Sequence, residues 1–250
     1  MSMLGLSASA VAADQFSMST GFDYSTGKYG SSTSTDYLYI PVIAKYESDK
    51  LTLKLTVPYL SEMSSNSSTS NVIRGIGRVK TTTTTTTSAT TTNAGLGDIV
   101  AAAGYSVYDK NSVIMDVVGK VKFGTASASE GLGTGMNDYS AQVDGYYAMG
   151  KTTAFGTVGY KVVGVPAGIT LNNVLFGTIG LSKKLEGNSN VGLMLDVAQS
   201  ESPLSAGPVE VTAFYSHKLN KDMKVQVNAL KGFSNGSADY GIGALISSYF

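Results

Sequence analysis

The clearest pattern in the chain is alternation. In Leu51-Thr52-Leu53-Lys54-Leu55-Thr56-Val57 apolar odd positions alternate with polar even ones, the period of a strand with one apolar and one polar face. Val209, Val211, Ala213 and Tyr215 alternate in the same way with Glu210, Thr212 and Ser216, and Met223, Val225, Val227 and Ala229 with Lys224, Gln226 and Asn228. Other stretches are less regular. Between Val113 and Phe123 the odd positions are apolar apart from Gly119, but Ile114 and Val118 share the even face with Asp116, Lys120 and Lys122. The pattern predicts about twelve strands, near residues 16–25, 35–47, 50–62, 96–108, 112–124, 137–148, 152–163, 173–184, 190–198, 208–218, 222–232 and 238–250.

The connections alternate too. Ser48-Asp49, Asp109-Lys110-Asn111, Gly150-Lys151, Glu186 to Ser189 and Asn220-Lys221 are short, whereas Thr26 to Ser34, Met63 to Gly95, Thr125 to Met136, Gly164 to Asn172 and Gln199 to Gly207 are mostly longer and more polar. The stretch Gly232 to Ser237 is the shortest of this second set. Tight turns at one end and longer loops at the other describe an all-β fold, a transmembrane antiparallel up-and-down β-barrel with short periplasmic turns. A soluble β-sandwich has the same strand period but no reason to keep that order of connections. An even strand number puts both ends of the barrel on the periplasmic side.

Composition agrees with spanning by strands. Charged residues are 14% of the chain, against about 25% in an ordinary soluble domain. No run approaches the roughly 20 apolar residues of a transmembrane helix. In lipid, strands satisfy their backbone groups only by closing into a barrel. Fifteen tyrosines gather toward strand ends, where amphipathic rings suit the membrane interface, as at Tyr37, Tyr39, Tyr46, Tyr59, Tyr105 and Tyr108 and at Tyr139, Tyr146 and Tyr147. Tryptophan, the other usual girdle residue, is absent.

Eighteen basic residues balance eighteen acidic ones with no basic stripe, which argues against nucleic acid as a partner. Without cysteine, and with His217 as the one histidine, the chain offers no disulfide, thiolate or histidine-pair metal site. No cofactor motif is found. Residues 1–13 run through small and apolar residues to Ala10-Val11-Ala12-Ala13 and turn polar at Asp14, as at the end of a secretory signal peptide, so they are expected to be its remnant. A short tail is the other reading. The barrel domain is then 14–250, with its longest outer loop at 63–95. That loop holds SSNSSTSN and the tract Thr81 to Thr87, low complexity that predicts a solvated loop, with receptor or phage binding as the alternative.

In the last strand Tyr240, Ile242, Ala244 and Ile246 share one face and Phe250 ends the chain. Outer-membrane barrels commonly end so, which implies recognition of Phe250 as a signal by the assembly machinery. Ser248 departs from the aromatic or apolar residue usual two places earlier.

Strand parity also yields candidate functional residues. If Leu51, Leu53 and Leu55 face lipid, Lys54 points inward, and the same parity sends Asp116, Lys120, Lys122, Asp144, Lys161, Asp196, Glu210 and Lys224 into the lumen. Asp116, Lys120 and Lys161 are expected to weigh most in selecting solutes. The plain alternative is a set of ion pairs that only fills the interior.

The segments DYLYIPVIAKYESDKLTLKLTVPYL, GLGDIVAAAGYSVYD, FGTVGYKVVG and GSADYGIGALI resemble a family of Gram-negative outer-membrane transport proteins of the phenol meta-cleavage pathway type, more distantly similar to fatty-acid and aromatic-hydrocarbon channels. Gly95-Leu96-Gly97-Asp98 is the most specific piece. The resemblance implies an outer-membrane location, the lipid bilayer as surroundings and passive uptake of a small-molecule solute, with aromatic or apolar solutes as candidates. Two other classes remain open on the residues alone. A phospholipase-like barrel enzyme would need a serine activated by His217, which sits at a strand end on the lipid-facing side without a GxSxG elbow. A plugged structural or adhesive barrel would conduct nothing.

Overall fold

The alternating segments fold as strands of a single closed sheet. The computed structural model describes residues 14–64, 70–72, 78–80 and 91–250; the expected signal remnant and the tract Thr81 to Thr87 lie outside the described residues. The described strands are β1 (Gln15–Gly27), β2 (Thr35–Glu47), β3 (Leu51–Ser64), β4 (Ser70–Val72), β5 (Arg78–Lys80), β6 (Thr91–Leu96), β7 (Ile99–Lys110) and β8 (Val113–Phe123). They continue with β9 (Asp138–Met149), β10 (Thr152–Val162), β11 (Val174–Lys184), β12 (Ser189–Ala198), β13 (Val209–Lys218), β14 (Met223–Gly232) and β15 (Tyr240–Tyr249). Each barrel strand pairs antiparallel with its neighbours in sequence, and β1 closes the sheet by pairing with both β2 and β15. β4 and β5 pair antiparallel in a separate two-stranded sheet. Because β6 and β7 occupy one place in the wall, the barrel has twelve strand positions.

The expected boundaries move most consequentially around the long loop. β3 runs on to Ser64 and β6 begins at Thr91, so the wall extends into both ends of the segment expected as the 63–95 loop. The strand expected near 96–108 starts earlier and is broken by a bulge. Tyr59 pairs with Leu96 and Thr56 with Val100, which sets the two residues 57 and 58 against the three residues 97 to 99. Gly97 N–H donates to the Pro58 carbonyl at 2.8 Å. A Cβ on Gly97 would lie 2.8 Å from Leu60 Cδ1 and 2.9 Å from Pro58 Cγ, so the bulge needs glycine there. As bulges do, it re-aims a side chain: Asp98 turns into the barrel and is 4% exposed.

The tight connections gather at one end. Asn111 and Ser112 take successive positive φ values of 53° and 65°, the conformation of a two-residue hairpin whose twist matches its strands. Elsewhere the faces separate as the alternation requires. Leu53, Leu55, Ile179, Leu193, Val227 and Ile242 are exposed outward, an apolar surface suited to lipid and not to water. Tyr139, Tyr160 and Tyr240 on the outer side and Tyr105, Tyr108 and Tyr147 toward the tight turns are exposed at the two levels where an aromatic girdle belongs. Tyr37, Tyr39 and Tyr146 depart from the expectation of interface anchors. They pair on the inner face with Ser25, Asp23 and Phe155 respectively.

Candidate functional site

The inner face can be followed strand to strand, since directly paired residues share a face. One inward row runs Lys45, Lys54, Ala102, Lys120, Ser140, Lys161 and another runs Asp116, Asp144, Thr157, Thr178, Asp196, Glu210. Lys122 pairs with Asp138 and Lys224 with Ser247 on the same face. All nine candidate residues therefore point into the barrel, but they fall into two environments.

At the outer end the charges are matched and sealed. Lys122 Nζ lies 2.9 Å from Asp98 Oδ2 and 3.2 Å from Asp138 Oδ2, and Lys161 pairs with Glu201. These side chains are at most 5% exposed. The loops knit over them. Asp98 Oδ1 accepts from Ala126 N–H and Asp138 Oδ1 from Gly164 N–H, both at 2.9 Å, and the Glu201 carbonyl accepts from Asn172 N–H at 2.7 Å. Leu132, in the loop after β8, lies against Gly95 of β6 and is 2% exposed. Lys161 thus lies near the outer end of β10, held by a loop.

Away from that cluster the inward candidates are solvated. Lys54, Asp116, Lys120, Asp196, Glu210 and Lys224 are only half-buried although they face inward. Asp144 is the exception, buried and held by Gln142 Nε2–H and Thr157 Oγ1–H, both at 2.6 Å. Asp196 accepts from Thr178 Oγ1–H at 2.6 Å, and Glu210 Oε1 from Ala238 N–H at 3.2 Å. Lys45 pairs with Glu47 at 2.7 Å. Among the described residues no carboxylate lies within ion-pair distance of Lys54, Lys120 or Lys224.

Aromatic and apolar side chains share the inner face with these charges and with neutral polar residues. Phe176 lies over Gly159, Phe155 over Gly180 and Phe214 over Gly192, each ring occupying the space a Cβ on that glycine would need. Met194 and Leu230 share the inward face.

Sequence reasoning missed Asp98, Asp138, Glu201, Lys45 and the three phenylalanines. Asp138 has the parity of Asp144 and was readable from it. The bulge hides Asp98, Glu201 comes from a loop, and β2 carries apolar residues on both faces, so its parity is silent. His217 lies on the outer face near the tight turns, with Nδ1 2.9 Å from Ser189 Oγ, which also lies 2.9 Å from Tyr215 OH. Ser189 is 5% exposed, and no carboxylate orients the imidazole among the described contacts.

No family model matches the chain, and none of the curated proteins does. Solved structures do. The COG4313 outer membrane channel from Pseudomonas putida F1 superposes with a TM-score of 0.68 at 11% identity over 97% of both chains. The KdgM porin in complex with disordered oligogalacturonate gives 0.55 at 9% identity over 94% of this chain and 99% of that one. The NanC porin gives 0.55 at 9% identity over 93% and 99%. At such identities the likeness is one of fold. Together with the outward apolar surface, it makes the protein a transmembrane β-barrel of the fold that these outer-membrane channels share.

Proposed function

We propose that the protein is an outer-membrane channel for passive uptake of small solutes, aromatic or otherwise apolar ones among them. The observation that carries this reading is that part of the inner wall is only half-buried. Residues that only filled a barrel would be sealed, as Lys122 and Lys161 are, yet Lys54, Lys120, Phe155 and Met194 keep contact with solvent. A barrel of this strand number is wider than an eight-stranded one filled by side chains and narrower than a sixteen-stranded porin, which suits small molecules. The aromatic part of the reading rests on Phe155, Phe176 and Phe214 and on the resemblance to the meta-cleavage type. The likeness to structures described as a channel and as porins supports it in outline. Asp116, Lys120 and the other half-buried charges are proposed to set selectivity, while Lys122 and Lys161 hold the outer mouth.

Single-channel conductance in planar bilayers, with swelling of liposomes in a panel of small solutes, tests the proposal. Ion passage and uptake are expected; a folded barrel that never conducts and never admits a solute would return the protein to the plugged structural class. The phospholipase-like reading predicts instead lipid hydrolysis that disappears in His217→Ala, and the buried Ser189 gives it little support. We also propose that Phe250 serves assembly, so that Phe250→Ser should slow insertion by the assembly machinery in a reconstituted assay.

A further inference from the structure

Several charges of the solvated lumen stand directly opposite a charge of the same sign. Lys45 faces Lys54 across β2 and β3, and Lys218 faces Lys224 across β13 and β14. Asp116 faces Asp144 across β8 and β9, and Asp196 faces Glu210 across β12 and β13. Like charges paired across strands destabilise a sheet, so packing gives no reason for these pairs. The acids are nevertheless provided for. Asp144, Asp196 and Glu210 accept hydrogen bonds from the neutral donors described above, and Asp116 accepts one from Ser106, although its Oδ1 has no partner.

The lysines are not. Lys54 faces the charges of Lys45 and Lys120, and Lys224 those of Lys45, Lys218 and Glu47. Glu47 is already held by Lys45. The acid nearest in effect to Lys120 is Asp144, which is engaged by Gln142 and Thr157. Between Lys54 and Lys120 in the same row lies Ala102. Two strand spacings, about 10 Å, therefore separate two long ammonium side chains across a methyl group, leaving room for an anion between them. On the same inner face lie Phe155, three residues from the tight-turn end of β10, Met194 near the middle of β12 and Phe214, four residues from the tight-turn end of β13.

We infer that Lys54 and Lys120 form an anion subsite that takes the carboxylate of a small solute whose apolar body rests against Phe155, Met194 and Phe214. This deepens the channel reading, since it names the class of solute that reading leaves open. A carboxylate supplies the acceptors that two ammonium groups lack, and a ring suits the aromatic wall.

Calorimetric titration of the whole chain in detergent with benzoate, benzamide and inorganic phosphate tests the subsite without requiring conductance. Benzoate should bind the wild type and benzamide should not, because it lacks the charge. Phosphate should bind more weakly than benzoate, because it lacks the ring. Lys54→Gln and Lys120→Gln should each weaken benzoate roughly tenfold, the scale of a lost charge-assisted hydrogen bond. Lys221→Gln, in an exposed turn, should change nothing. Lys120→Met keeps the side-chain stem and serves if the glutamine variant does not fold. Equal binding of benzoate and benzamide, phosphate binding as tight as benzoate, or benzoate binding indifferent to the lysine variants would overturn the inference. Conductance separates the two claims: a barrel that passes ions but ignores benzoate keeps the channel and loses the subsite. One that binds benzoate through Lys54 and Lys120 and never conducts keeps the subsite and loses the channel.

Discussion

Lys122 and Lys54 both project into one lumen, yet Lys122 is 1% exposed between two carboxylates, whereas Lys54 is half-buried with no acid within ion-pair distance among the described residues. The difference lies in the solvent. Where loops exclude water, an unpaired ammonium would be prohibitively costly, so every buried charge at the outer end has a partner. Where water enters, a lysine can stand unpaired and remain available to a solute. A matched interior is therefore the mark of a seal, and an unmatched one the mark of a passage.

The contrast can be broken most forcefully at Lys122. Lys122→Ala leaves Asp98 and Asp138 buried without their counter-charge and should cost about 3 to 5 kcal/mol, read as a fall in the urea midpoint of the barrel refolded in liposomes. Lys54→Ala should move that midpoint by no more than about 0.5 kcal/mol. Similar losses at both positions would mean that the lower lumen is packed and not solvated.

Arginine substitutions probe the same contrast across the wall. Leu53→Arg and Val225→Arg put a charge into lipid and should cost roughly 2 to 4 kcal/mol near the midplane, while Thr52→Arg and Gln226→Arg, on the inner face, should cost much less. Val174→Arg is also inward but lies at the sealed end, 2% exposed, and should hinder folding as the lipid-facing changes do. Tolerance at Val174 would show that the outer end is not closed.

At the outer mouth, Glu201→Gln weakens the hold of its loop on Lys161 while keeping a hydrogen-bonding group. If loop departure opens the mouth and the open state is rare, a shift of about 1.4 kcal/mol raises the open fraction about tenfold, visible as more frequent openings in single-channel records. Glu186→Gln, at the tight-turn end, should leave opening unchanged. The smallest effect is expected outside the lumen. His217→Ala removes the hydrogen bond to Ser189 and should cost about 1 kcal/mol without altering conductance; loss of a measurable lipid hydrolysis in this variant would point to the enzyme class instead.

Most of the wall was legible because its determinants are local. β2 was expected at 35–47 and is observed at Thr35–Glu47, and other edges such as those of β10 and β13 moved by a single residue. Turn residues and alternation specify such edges without long-range information. Legibility failed where the period slips. The extra residue at Gly97-Asp98 reverses the parity, so Asp98 could be read neither as inward nor as the partner of Lys122. In β2 both faces carry apolar side chains because a lumen, unlike bulk water, accepts Tyr37, Tyr39 and Ile43, and Lys45 was hidden among them.

The amino-acid sequence by itself determined the strands, the order of tight and long connections, the lipid-facing surface and the inward direction of nine charges, because a period of two in a barrel leaves only two faces to choose between. Which of those charges are paired was decided by tertiary structure alone. Glu201 reaches Lys161 from a loop with no periodicity, Asp98 reaches Lys122 through a bulge, and Lys54 meets Lys120 only because the closed sheet brings β3, β7 and β8 side by side. Pairing depends on distances across the barrel and on where the loops exclude water, and neither is encoded in the neighbours of a residue along the chain.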